Sequence, residues 1–216
     1  RGPCCTTDGP DRTAMMLFGA QAGDLEIRRG GGGTRIRGSF PYNSRATLHA
    51  GGRNGSRPKK EYFASHAFQY SVDVSEADVH FLWGHDFGKA LASRNGGTLV
   101  LEDTAEALVF EVKLVDEVLE TTHGKDFMSM MNAGLVGGVS PGFRIPPPSA
   151  VKEPERIFEE DPSEGRAIVR EIKEAVLFEI SAVVRPAYPQ TQVEARNWQV
   201  TQNDDLKITS RYRWRL

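Results

Sequence analysis

Cysteine is nearly absent: the 216-residue chain has two, Cys4 and Cys5, side by side near one end. Adjacent thiols there cannot staple distant parts of a core, and no C-x-x-C pair offers zinc-ligand spacing, so a reducing, intracellular setting with no structural metal is expected. Long apolar runs are missing too. Nothing approaches the roughly 20 residues of a membrane span, so a membrane-spanning chain is not expected, and the first 30 residues lack a secretory apolar core. The first residue is Arg1 rather than Met, which suggests a fragment or a processed start. What remains, 39% hydrophobic and 26% charged residues, is the composition of an ordinary globular protein. The length suits one compact domain with tails better than two full-size domains.

Charge of one sign is scarce overall, with a formal net of -2, yet it is unevenly placed. Residues 1–60 hold 11 Lys/Arg against 4 Asp/Glu, a local +7, and 12 of the 22 glycines. Gly30 to Gly33 and Gly51-Gly52-Arg53-Asn54-Gly55 are the loosest runs. The reading is a flexible basic arm, residues 1–33, ahead of an acidic body. Aromatics do not interleave with the basic side chains as a nucleic-acid reader would need, so a solvated arm is the commoner outcome and nucleic acid is not an expected partner.

From about Thr34 the pattern is of short strands. Thr98–Leu101 and Ala107–Leu114 alternate with period two and read as a hairpin joined through Glu102–Glu106. Val79–Trp83, Val139–Ile145, Ala167–Ile172 and Ala175–Val184 are further strands, rich in β-branched and apolar residues. One helix is convincing, residues 124–134, where Phe127, Met130, Met131 and Leu135 recur at helical spacing. Pro146-Pro147-Pro148 must end its strand, because proline has no N–H for a ladder, and the acidic stretch to Gly165 reads as a surface excursion. After Pro189 the chain turns polar and ends in the basic-aromatic Arg211–Arg215. The order of elements does not alternate βαβα, which argues against a doubly wound parallel sheet. The expected class is mainly β.

Gly138-Val-Ser140-Pro-Gly142 fits the G-x-S-x-G pattern of a nucleophile elbow. The elbow needs a histidine later in the chain, but His49, His66, His80, His85 and His123 all precede Ser140. It also needs a backbone N–H after the serine, and Pro141 has none. A helix comes before Ser140 and an extended segment after it, the reverse of the elbow. Other chain orders of a serine triad stay open, because triads are defined by geometry. Alternation puts Ser140, Gly142 and Arg144 on one face and Val139, Pro141, Phe143 and Ile145 on the other, with Gly138 and Gly142 leaving room for a substrate backbone. On spacing alone, an incidental serine in a glycine-rich turn is the commoner outcome. His85 follows a strand beside Gly84, where an imidazole can reach a neighbouring strand as a general base. Asp86, its chain neighbour, points to the opposite face. His66 and His123 read as ordinary.

These pieces together resemble the HK97-type phage prohead proteases, serine peptidases related in fold to herpesvirus assemblins. In order, they are Ile36-Arg-Gly38, Glu61–Phe68 for "E-x-x-x-x-G-A-F", Trp83-Gly-His-Asp86 for "N-H-D", Gly124-Lys-Asp126, Val139–Phe143 for "M-S-F-G-F", and Leu177–Val184 with Pro186–Pro189 for "L-x-E-x-S-V-V-x-x-P-A-Y". The resemblance covers roughly residues 34–192, leaving 193–216 as a C-terminal tail. It implies a small, mostly antiparallel β-barrel of herpesvirus-protease type with flanking helices. It further implies that Ser140 is the nucleophile, His85 the general base, and an acidic residue on a later strand the third member.

Glu179, matching the glutamate of "L-x-E-x-S", takes that place; alternation groups it with Leu177, Ser181 and Val183 on a mostly apolar face, where a carboxylate needs a partner. Glu174 and Glu171 are the alternatives. Gly84 stands where the family has Asn, His66 where it has Gly, and Pro141 where it has an aromatic residue. Pro141 leaves the oxyanion to other N–H groups or to Arg185. The implied activity is cleavage of capsid and scaffold proteins, and of the chain itself, inside an assembling prohead in the bacterial cytoplasm, with no cofactor. A homodimer, as in the assemblins, is left open. The rival expectation is an assembly or scaffold protein that kept the fold and lost the chemistry.

Overall fold

Alternating apolar and polar residues make most of the chain extended. In Ala107–Leu114, Leu108, Phe110, Val112 and Leu114 are buried and the residues between them are not, the period a strand needs when one face meets a core. A computed structural model of the protein describes residues 17–18, 24–30, 33–52 and 55–184. Its strands are β1 (Leu17–Phe18), β2 (Asp24–Gly30), β3 (Gly33–Pro41), β4 (Ala46–His49), β5 (Lys59–Phe63), β6 (His80–Trp83), β7 (Asp86–Ser93), β8 (Leu99–Asp103), β9 (Ala107–Leu114), β10 (Gly138–Arg144), β11 (Glu155–Glu159), β12 (Ile168–Ile172) and β13 (Val176–Val183). A π-type turn at Tyr70–Val74 lies between β5 and β6; two helices, α1 (Asp116–Glu120) and α2 (Thr122–Asn132), lie between β9 and β10.

The strands form a five-stranded sheet in the order β1-β10-β13-β6-β7 and two four-stranded sheets, β11-β12-β5-β4 and β2-β3-β9-β8. Pairing is antiparallel except for β12 with β5 and β13 with β6. The fold is mainly β with few helices. The closed barrel expected from the resemblance is not found among the described residues: each sheet ends in strands with one neighbour, whereas closure requires the first and last strands to pair.

Phenylalanines join the sheets. Phe63 of β5 meets Phe143 of β10 edge-on at 4.9 Å and Phe40 of β3 at 5.2 Å, so one ring touches all three sheets. Helix α2 seats the fully buried Phe127 against Trp83 of β6 at 5.0 Å. Its start is set by the Thr121 hydroxyl, which accepts the Gly124 N–H at 3.0 Å. A Cβ on Gly124 would lie 2.0 Å from the Val118 carbonyl oxygen, which explains a glycine where the two helices meet.

Two further expectations change. Pairing begins before residue 34, since β2 runs antiparallel to β3. Strand β10 stops at Arg144, ahead of the prolines, but the expected surface excursion to Gly165 includes β11, which pairs with β12 and buries Ile157. Two apolar residues, Ile157 and Phe158, among acids are too short a signal to read in advance. Nearby charges are buried in pairs: Arg170 of β12 donates to Glu61 at 3.1 Å and to Glu155 at 2.7 Å. A buried guanidinium needs such partners, so Glu61, which heads one of the recognisable segments, ties β5 to β12.

Candidate active site

Strands β6 and β7 are joined by two residues, Gly84 and His85, both at positive φ, 68° and 62°. That is the backbone of a type I′ hairpin turn, whose twist matches its strands. Glycine adopts it without steric cost, and histidine is among the few other residues enriched there. The turn is held against β13: the Gly84 N–H donates to the Ala182 carbonyl at 3.0 Å and the His85 N–H to Ser181 Oγ at 2.9 Å. The imidazole then reaches Glu179, with Nδ1 2.6 Å from Oε1. The Glu179 side chain is fully buried and that of His85 is 15% exposed. A carboxylate only accepts, so the proton of this bond sits on Nδ1 and the ring's basic nitrogen is Nε2.

The other half of the site comes from β10. Ser140 is paired with Ser181 and Gly142 with Glu179, and residues directly opposite on antiparallel strands share a face. Ser140, Gly142, Glu179 and Ser181 therefore line one side of the β10–β13 pair. Val139, Phe143, Ile180 and Ala182 enter the core on the other. Between Gly142 and Phe143 the register slips past Phe178. This bulge shifts the phase, so Leu177 joins Phe143 in the core instead of standing beside Glu179 as strict alternation expects. A Cβ on Gly142 would lie 2.1 Å from Glu179 Oε1. The space that the sequence reading kept for a substrate backbone at Gly142 is occupied by the Glu179 carboxylate. Ser140 lies mid-strand and fully buried.

The alternatives lie elsewhere. Glu171, on β12, accepts a hydrogen bond from Tyr62 at 2.8 Å. Glu174 lies between β12 and β13 and is tied through its N–H to the Pro154 carbonyl at 3.0 Å. Asp86 turns outward, where the Gly88 N–H and then Lys89 hold its carboxyl below the usual range. Arg185 lies outside the described residues, as do the Pro186–Pro189 segment and the C-terminal tail. His123 Nε2 is 3.2 Å from the Ala90 carbonyl oxygen. His66, read as ordinary, has its own buried carboxylate partner: Nδ1 is 2.6 Å from Asp103, to which Tyr42 also donates. Two contributions escaped the sequence reading, the hydroxyl of Ser181 and the need for Gly142 under Glu179. A hydroxyl two residues along the strand from a buried glutamate, and so on its face, was the available signal for Ser181.

The profile of the caudovirus prohead serine proteases matches residues 42–205, most of the chain. The chain belongs to this family. The matched span of this prohead protease includes His85, Ser140, Glu179 and Ser181, and begins just after β3. Among curated proteins and among solved structures, none matches the chain. Membership makes it a serine peptidase of phage capsid maturation, acting in the assembling capsid within the host. No helix among the described residues is long and apolar enough to cross a membrane.

Proposed function

We propose that the chain is an endopeptidase that cuts scaffold and capsid proteins, and itself, during prohead maturation, with Ser140 as nucleophile, His85 as general base and Glu179 as the residue that orients His85. The observation that carries this reading is the 2.6 Å contact between His85 and a fully buried Glu179 on the strand paired with that of Ser140. In the first step Ser140 Oγ attacks the substrate carbonyl carbon and its proton passes to His85 Nε2. Glu179 stabilises the resulting imidazolium through Nδ1–H. The tetrahedral intermediate then collapses: the imidazolium protonates the leaving amine, the C–N bond breaks, and an acyl-enzyme on Ser140 remains. Water, deprotonated by the same nitrogen, releases the acid and restores the serine. Pro141 donates no N–H to the oxyanion, and Arg185, just past β13, is the candidate that meets it. Because Ser140 is fully buried, a substrate reaches it only after what packs over this face moves aside.

Pro141 and that burial favour one other reading, an assembly protein that keeps the fold without the chemistry. Co-expression with the capsid and scaffold proteins of the same phage separates the two. The unaltered chain should cut both, with cut sites read by mass spectrometry, and Ser140→Ala should cut neither. Uncut proteins in both cases would leave the assembly role.

A further inference from the structure

We propose that Ser181 is a positioning residue of the site, the hydroxyl that sets where the His85 imidazole stands. The inference rests on the reading of His85 as general base and adds a residue to which that reading gave no role. A hydroxyl has one proton and room to accept two. Ser181 uses its proton on Glu179 Oε2 at 2.6 Å and accepts the His85 backbone N–H at 2.9 Å. Glu179 Oε1 meets His85 Nδ1 at 2.6 Å, so the bonds form a closed ring. It runs from the His85 backbone through Ser181 and Glu179 back to the His85 ring.

Both ends of the histidine are thereby fixed from β13. The backbone bond holds the turn at His85, whose φ of 62° is uncommon for any residue with a side chain. The bond to Oε2 fixes the rotation of the carboxylate, and that rotation decides whether Oε1 points at Nδ1. Ser181 is also fully buried and directly opposite Ser140 in the β10–β13 register. One side chain thus references the base to the strand that carries the nucleophile. Without the hydroxyl, the part-buried His85 N–H and the fully buried Glu179 Oε2 would each lose a partner, and the turn and the carboxylate would shift to find others.

The test has two independent readouts on the full-length chain. The first is the downfield proton resonance of the His85 imidazole N–H bonded to Glu179, told apart from that of His66 by its absence in His85→Ala, followed by NMR in a Ser140→Ala background so that the chain stays whole. The second is the time course of capsid-protein cleavage on co-expression. Ser181→Ala should lose or broaden the His85 resonance while circular dichroism reports a folded protein, and should slow cleavage on the order of 100-fold, the scale of a misplacement of about 1 Å. Ser181→Thr keeps the hydroxyl and should restore both. If Ser181→Ala does not fold, Ser181→Cys, nearly isosteric with a weak S–H donor, replaces it with the same expected losses. An unchanged resonance and unchanged cleavage in the Ala or Cys variant would overturn the proposal. If Ser140→Ala cleaves as fast as the unaltered chain, the assignment of Ser140 falls, while the resonance still decides the role of Ser181.

Discussion

Among the described residues, the His85–Glu179 and His66–Asp103 pairs are built almost alike. His85 and His66 both have left-handed backbone, with φ of 62° and 63°. Each places Nδ1 2.6 Å from a fully buried carboxylate, Glu179 in one case and Asp103 in the other. In each, a hydroxyl donates to the second carboxylate oxygen: Ser181 to Glu179 and Tyr42 to Asp103. What differs is the surrounding structure. Glu179 lies on a strand whose neighbour presents Ser140 in register, whereas the hydroxyl next to His66, that of Ser65, donates to the Ala105 carbonyl at 2.7 Å. The His66 side chain is 38% exposed and that of His85 15%. The Asp103 cluster closes the end of the β8–β9 hairpin onto the segment after β5. On the proposed mechanism only one of these carboxylate-oriented histidines is the base, and what separates the two is a serine on the adjoining strand.

Mutating both histidines tests that distinction most sharply. Ser140→Ala should abolish cleavage of co-expressed capsid protein, and His85→Ala should reduce it by on the order of 10²–10⁴-fold, the usual worth of a general base. His66→Ala should cleave at close to the unaltered rate, yet lower the stability measured by urea unfolding by about 1–3 kcal/mol, because the buried Asp103 carboxylate loses one of its partners. Equal loss of cleavage from both histidine variants would erase the contrast. Next in size is Gly142→Ala. The added Cβ, 2.1 Å from Glu179 Oε1, would push the carboxylate off His85, and cleavage should fall on the order of 100-fold. Normal cleavage by this variant would mean that Glu179 can move without consequence to His85.

Much of the strand order was legible because it rests on period-two alternation, as in Ala107–Leu114, and on proline stops. The helix was legible from the spacing of Phe127, Met130 and Met131, and ends at Asn132 in the structure. Less legible was whatever depends on register. The slip past Phe178 moves Leu177 into the core, and no local pattern around Leu177 announces it. How the sheets close is likewise a long-range matter, so the resemblance supplied a barrel where three sheets are found. At the site, residues alone suggested Ser140 and His85 as candidates, and the resemblance pointed to Glu179. The ring through Ser181 depends on an i, i+2 pair and a tight turn meeting across strands far apart in sequence. The His66 pair was missed for the same reason: Asp103 is 37 residues away.

A smaller effect belongs to Tyr42. Burial, then the hydrogen bond to Asp103, raises its phenol far above the ordinary range, so it remains a donor at every working pH. Tyr42→Phe should cost about 1–3 kcal/mol in urea unfolding by leaving a buried carboxylate oxygen without its donor. Capsid cleavage should be untouched, since the lost bond belongs to the His66 pair, which has no part in the proposed mechanism.

The smallest expected signal is the pH dependence of the Asp103 cluster. Burial raises the Asp103 carboxyl above its ordinary 3.8, with Asp73 adding to the rise and the bonds from Tyr42 and His66 opposing it. A raised carboxyl takes up its proton more readily folded than unfolded. Over the window just above 3.8 the folded chain therefore holds more protons, and this group's contribution to stability falls as pH rises. Glu160 acts in the opposite sense: the hydrogen bond from Lys60 lowers its carboxyl below the ordinary 4.5, so its contribution is lost as pH falls. The two slopes overlap, which makes the difference between the unaltered chain and Asp103→Asn the informative quantity. Urea unfolding in steps across that range should show the stability of Asp103→Asn gaining on that of the unaltered chain as pH rises, with the gap constant once Asp103 is ionised in both states. A difference that stays flat throughout would mean that the Asp103 carboxyl titrates alike folded and unfolded, and that its bonds to Tyr42 and His66 fully offset its burial.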